Sequence, residues 1–237
     1  MRTQSVIERV SIDPPIYLDS EKDWAAVQGK ELPERRPVRY FVHKETGHEY
    51  IYILGALGLP GISFPGYAVV LGLDRYKHKE YGKRIIRVIE EVESPTIGGL
   101  MLKCIDLQRK YEAYPVMNRL WYADLDEIQS DRAMKGIRDA GKDLYYICPV
   151  SGPFFEKPHP WKGYFDVLRD NAKIIDRKDA DRLRSYVESG PQNLRDVMAF
   201  KPENNPALAA LAVGVAVLTE SEPWFWEVEG SAFNLED

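Results

Sequence analysis

The sequence predicts an α/β fold, a mixed sheet with an antiparallel edge flanked by helices. Three observations carry this reading. Strand patterns joined by short connectors fill residues 38–93. The apolar spacing switches from the strand period to the helical one near residue 97. Strand and helix patterns then alternate, which favours strands paired in parallel through crossover helices.

Each element has its own signal. VRYFVH (38–43) is rich in β-branched and aromatic residues, and KETG after it reads as a turn. HEYIYILGAL (48–57) alternates Tyr50, Tyr52 and Leu54 against Ile51 and Ile53. GLPGISFPG is a loop with three glycines and two prolines. YAVVLGL (67–73) is a nearly continuous apolar run, as expected of a strand buried on both faces. DRYKHKEYGK turns at Gly82, and RIIRVIEEVE (84–93) follows as the next strand. Strands with such short connections form an antiparallel meander of three.

Ser94-Pro95 predicts a cap followed by proline at the first helical position. Ile97, Leu100, Met101, Cys104, Leu107 and Tyr111 then recur at helical spacing. NRLWYAD (118–124) is a short strand ending in a carboxylate. LDEIQSDRAMKGIRDAG reads as a helix closed by Gly141, and DLYYICPV (143–150) as a strand. Helices are expected over 161–171 and 179–188, and from Asn205-Pro206 to about Thr219. The last pairs an Asn cap with proline at its first position.

Residues 1–38 carry Pro14-Pro15, Pro33 and Pro37, charges of both signs and no sustained periodicity. They read as an arm or linker with one short helix around Asp23–Gln28. The main domain is then 39–222, followed by a tail at 223–237 bearing Trp224, Phe225, Trp226 and Phe233. Such aromatic residues either pack back on the domain or dock on a partner.

Composition narrows the function classes. The chain has 237 residues, 37 acidic and 32 basic, for a net charge of -5. A globally basic nucleic-acid binder is excluded, although a local basic face is not. Two cysteines, Cys104 and Cys148, exclude a disulfide-rich scaffold. The longest apolar run, ALAALAVGVAVL (207–218), is shorter than the ~20 residues of a membrane span. The N-terminal MRTQSVIERVSIDPP lacks an apolar h-region. The expectation is a soluble cytoplasmic protein without a membrane partner, in the host cytoplasm if viral.

Several segments, taken together, resemble a known family. They are YIYILGALGLPG followed by GYAVVLGLDR, the helix after SPT, LWYADLDE, LRDNAKIID, and ENNPALAALAVGVAVL. Over about residues 48–219 the chain resembles the ribonuclease H-like nuclease domain of phage terminase large subunits, the motors that package viral DNA. The resemblance implies a site where three or four carboxylates hold paired Mg²⁺ or Mn²⁺ ions for hydrolysis of phosphodiesters. It places one acid at the end of the first strand, one after the fourth, and one at the start of the last helix.

Asp124 fills the middle position, with Asp126 and Glu127 just after it. The first position has two readings. If HEYIYILGAL is the first strand, the acid falls near Leu57, which cannot bind metal. If YAVVLGLD is the first strand, Asp74 supplies the ligand, but only two strands then precede the helix. At the final position Asn204-Asn205 stands where the family has an acid, and Glu203 is the nearby carboxylate. The readings are therefore a terminase nuclease-like domain with an eroded acidic centre, an active endonuclease using Asp74, Asp124 and Asp126 or Glu203, or a non-catalytic phage interaction or structural protein. The partners implied are double-stranded DNA or packaging-motor proteins.

Other motifs weigh less. No GxxxxGK[ST] string occurs, so this chain lacks the packaging ATPase signature. His43 and His48 flank a turn without thiolates or carboxylates at zinc spacing. Glu91 and Glu93 fall on one face of their strand, either as a solvated edge or as part of an acidic centre. Arg75, Lys77, Lys79, Lys83, Arg84 and Arg87 cluster around one connector. They offer phosphate contacts, with Tyr76 and Tyr81 available to stack on bases.

Overall fold

The computed structural model of the chain describes residues 4–12, 38–111, 118–124, 135–137, 139, 147–150, 160–178 and 180–220. Eight strands form one mixed sheet. They are β1 (Ile7–Ile12), β2 (Val38–His43), β3 (Glu49–Gly58), β4 (Gly66–Lys77), β5 (Arg84–Ser94), β6 (Asn118–Asp124), β7 (Cys148–Val150) and β8 (Ile175–Asp176). The helices are α1 (Ile97–Lys110), α2 (Pro160–Asp170), α3 (Asp181–Glu188), α4 (Leu194–Met198) and α5 (Pro206–Glu220). The α/β class and the flanked mixed sheet expected from the sequence are both present.

The expected meander is β3–β4–β5, antiparallel throughout. On the other edge of β3, β6 pairs in parallel with Ile53–Ala56, and β7 pairs in parallel with β6. The first two residues of β3 instead pair with β2, opposite Phe41 and Val42. One edge of β3 is thus shared between an antiparallel neighbour at its start and a parallel one at its end. β8 adds a two-residue parallel edge to β5.

The arm is partly sheet. Residues 7–12 form β1, paired antiparallel with β2 along its length. The sequence reading missed this strand because its pairing partner begins 26 residues later, at Val38. The predicted helix at Asp23–Gln28 and the tail at 223–237 lie outside the described residues.

Two cores sandwich the sheet. On one face α5 packs with α2 and α3 over Leu54, Ala56, Tyr67, Val69 and Leu71. On the other α1 covers Ile53, Leu57, Ala68, Val70, Leu120 and Trp121. β4 feeds both cores, which is why its sequence is apolar without alternation. The run at 207–218 is buried at every position, so α5 is apolar all round because protein surrounds it. At Gly214 an added Cβ would lie 2.6 Å from Leu71 Cδ1 and 2.9 Å from Ala56 Cβ. That contact sets how closely α5 lies on the sheet. No described helix is long and apolar enough to cross a membrane.

The caps partly differ from expectation. Thr96, not Ser94, caps α1, and its hydroxyl accepts from Gly99 N–H at 3.1 Å. Asn205 caps α5 as the sequence suggests, its Oδ1 accepting from Leu208 N–H at 3.1 Å. The cap residue of α3, Ala180, has no side-chain acceptor. Glu91 of β5 supplies one instead, accepting from Leu183 N–H at 3.2 Å.

Candidate functional site

The site that the sequence points to lies at the C-terminal ends of β3 and β6, where α5 begins. Asp124 closes β6 and is 5% exposed. Its direction depends on a bulge. Leu120 pairs with Gly55 and Tyr122 with Ala56, so Trp121 is the extra residue. Trp121 has φ 78°, in the left-handed region, and among the described residues no other non-glycine has a positive φ.

The bulge reverses the alternation of the strand. Leu120 and Trp121 both enter the α1-side core, and Tyr122 enters the α5-side core. Ala123 returns to the α1 side, so Asp124 lies on the face that α5 covers. In an unbulged strand Leu120, Tyr122 and Asp124 would share one face. Trp121 therefore turns the carboxylate toward the start of α5.

The other two expected acid positions are closed. Leu57 is buried in the α1-side core, on the opposite face from Asp124. Gly58 faces α5 so tightly that an added Cβ would lie 2.0 Å from the Pro206 carbonyl oxygen. No side chain fits there. At the start of α5 both ends of the Asn205 amide are engaged, Oδ1 by Leu208 N–H and Nδ2 by the Tyr186 carbonyl at 3.1 Å. Glu203 is exposed on the preceding turn (Pro202–Asn204). Asp126 lies outside the described residues.

Asp74 stands elsewhere. It pairs with Tyr50, at the start of β3, whereas Asp124 lies two residues beyond the Ala56–Tyr122 pair. Eight residues of strand separate the two positions, about 26 Å at ~3.3 Å per residue. The structure does not bring these carboxylates together, because β3 and β6 run parallel while β4 runs back. The strand register thus excludes β4 as the first strand of the resembled site.

Asp74 has a different set of partners. Arg87 grips it with Nε on Oδ1 at 3.0 Å and NH2 on Oδ2 at 3.1 Å. His48 Nε2 lies 3.1 Å from Oδ1. Arg87 NH1 also donates to Asp176 Oδ2 at 2.6 Å, tying edge strand β8 to β4. A carboxylate held by a bidentate guanidinium is a structural ion pair. Tyr50 lies over Gly72, where an added Cβ would be 2.5 Å from its ring. Burial pushes the Tyr50 phenol up to about 12, with Arg87 opposing and Asp74 reinforcing the shift.

The basic connector is a β4–β5 hairpin at this same end, remote from Asp124. Its charges are unequal. Arg75 donates to Glu49 at 2.7 Å, and its guanidinium carbon lies 3.8 Å from the Tyr40 ring centre. Arg84 donates to the Asp74 carbonyl at 3.3 Å, and Lys83 to Asn171 Oδ1 at 3.1 Å. Lys77 and Lys79 are exposed, as are Tyr76 and Tyr81, and the His78 and Tyr81 rings stack at 4.7 Å.

Glu91 and Glu93 do not join an acidic centre. Each accepts from a tyrosine hydroxyl, Glu91 from Tyr67 and Glu93 from Tyr186. Glu90 faces the other side of the sheet and accepts from Tyr111 at 2.7 Å and Lys110 at 2.6 Å. Their burial raises the Tyr67 and Tyr111 phenols well above the ordinary range, reinforced by the glutamates.

A pair of divalent ions needs several converging oxygen donors. The described residues bring one buried carboxylate, Asp124, to the β3–β6–α5 junction. Among them no group of three or more His, Cys, Asp or Glu is placed to share an ion. The described donor set does not fit a two-ion centre, and no hydrolytic step is assigned to it. No protein-family model matches the chain, and no curated protein or solved structure is significantly similar to it.

Proposed function

We propose that this chain is a ribonuclease H-like domain of the terminase-nuclease type whose acidic centre is reduced to Asp124, and that it binds double-stranded DNA without cutting it. One observation carries the reading. The end of β3, the end of β6 with Asp124, and the start of α5 meet at one point of a sheet ordered β5-β4-β3-β6-β7. This junction supports the resemblance, taken with β3 as the first strand. The two remaining acid positions are occupied by Gly58 against Pro206 and by a helix cap at Asn205.

Binding rests on the β4–β5 hairpin. Lys77 and Lys79 project from it, while Arg75, Lys83 and Arg84 hold hydrogen bonds within the protein. With about two phosphates neutralised, log affinity falls with log salt at a slope near -2, about -0.9 per phosphate. Such binding is weak at physiological salt and suits a domain presented alongside a packaging motor.

The test has two arms. Fluorescence anisotropy on a labelled duplex across a salt series reads the slope, and K77A/K79A abolishes most of the binding. Supercoiled plasmid with Mg²⁺ and then Mn²⁺ reads cleavage beside Asp124→Ala. Intact plasmid and a lysine-dependent slope support the proposal. Metal-dependent nicking that disappears in Asp124→Ala makes the domain an active endonuclease instead. Failure to bind duplex at low salt leaves a packaging protein as the partner and overturns the DNA reading.

A further inference from the structure

A cavity of about 530 Å³ opens beside the start of α5, on the β4–β5 side of the sheet. Its walls include Phe64 from the β3–β4 loop, Tyr67 from β4, Tyr186 from α3 and Phe200 after α4. Two carboxylates, Glu93 and Asp196, also line it, and none of its lining residues is lysine, arginine or histidine. The volume lies within the range of ligand sites.

The chemistry of the lining favours one class of occupant. Aromatic faces attract cations through the ring quadrupole, and a planar guanidinium also stacks on them. The tyrosine hydroxyls are turned onto glutamates, Tyr67 onto Glu91 and Tyr186 onto Glu93, so these polar tips are already engaged. Glu93 Oε2 already has a guanidinium 3.6 Å away, that of Arg182, whose side chain is 60% exposed. That separation exceeds hydrogen-bond length, so an incoming donor has a place on this oxygen. Phe64 of the β3–β4 loop, which lines the cavity, is 43% exposed. An aromatic lining that includes exposed Phe64, with two carboxylates beside it, fits a side chain with an apolar stem and a cationic head.

We infer that this cavity binds an arginine side chain presented by a partner polypeptide, with the guanidinium against an aromatic wall and paired to Glu93 and Asp196. Asp124 lies across β3 from this cavity, and the hairpin, whose charges would recruit an acidic partner, is a separate surface.

The test titrates acetyl-Ala-Arg-Ala-amide into the full chain, followed by ¹H–¹⁵N NMR. The same peptide with citrulline or norleucine in place of arginine serves as the neutral and apolar comparison. Expected are shifts at Tyr186, Phe200 and Ala207 and roughly fivefold tighter binding of the arginine peptide than of either comparison. Glu93→Gln keeps an acceptor for Tyr186 and should remove that preference. Asp196→Asn, on exposed α4, gives a second reading if Glu93→Gln perturbs the fold. Equal binding of the three peptides, no shift at about 10 mM arginine peptide, or an unchanged preference in Asp196→Asn would each overturn the inference.

Discussion

The indole N–H of Trp121 donates to Gln108 Oε1 at 3.1 Å, and both residues are buried. This bond joins the bulge of β6 to the last turn of α1, so the helix holds the backbone that turns Asp124. Gln108→Leu leaves the indole donor buried without a partner. The expected loss is about 1–3 kcal/mol, read from urea unfolding. Trp121→Phe removes the donor, so applied on top of Gln108→Leu it strands neither partner and the pair should cost less than the two single changes added together.

Gly55 and Gly58 make different demands on β3. An added Cβ at Gly55 would lie 3.0 Å from the Trp121 ring and 3.2 Å from Leu120 Cδ2. Side chains can yield a few tenths of an ångström there, so Gly55→Ala should cost roughly 1–3 kcal/mol. At Gly58 the obstacle is the Pro206 carbonyl, 2.0 Å away, and backbone cannot yield without moving α5. Gly58→Ala should therefore lower the melting temperature more than Gly55→Ala. Circular dichroism melts of the two variants check the order, and a larger effect at Gly55 would contradict the close approach of α5.

Arg87 is the common partner of Asp74 and Asp176. Arg87→Met removes two hydrogen bonds from a carboxylate whose side chain is 12% exposed, leaving it His48. A fully buried charge left unpaired costs about 3–5 kcal/mol, and the 31% exposure of Arg87 reduces this to about 2 kcal/mol. Adding Asp74→Asn to Arg87→Met should recover part of the loss, because the stranded charge is gone. A double-mutant cycle in urea measures the coupling, and additive losses would contradict an ion pair.

Much of this architecture was legible in the sequence, for physical reasons. β3 announced itself by alternation, β5 by its place after the turn at Gly82, β4 by burial on both faces, and α5 by an Asn-Pro start before an unbroken apolar run. The site was legible only at Asp124. The GLD of β4 resembled a first-strand acid, and only the pairing of Asp74 with Tyr50 shows that it stands at the wrong end of the sheet. The bulge left no local mark either. Trp121 adopts its positive φ because the Gln108 bond and the space over Gly55 hold its ring, not because its own residue type prefers that region. The tyrosine partners of Glu90, Glu91 and Glu93 sit 21 to 93 residues away in sequence, so local pattern offered a solvated edge instead.

Tyr50 gives stability a dependence on alkaline pH. Its phenol is 4% exposed and titrates near 12 in the folded chain, against about 10 when unfolded. Below pH 10 both states are protonated and the contribution is fully present. Between 10 and 12 the unfolded chain loses the proton while the folded chain keeps it, so stability falls by about 1.4 kcal/mol per pH unit from this residue. The total over that window is about 3 kcal/mol, with Tyr186, also raised to about 12 through Glu93, acting in the same direction. Tyr50→Phe removes the proton and should flatten the fall between pH 10 and 12 relative to the parent chain. Urea midpoints at pH 9, 10, 11 and 12 for both proteins measure it, and parallel curves would mean that Tyr50 ionises at its ordinary value in the folded state.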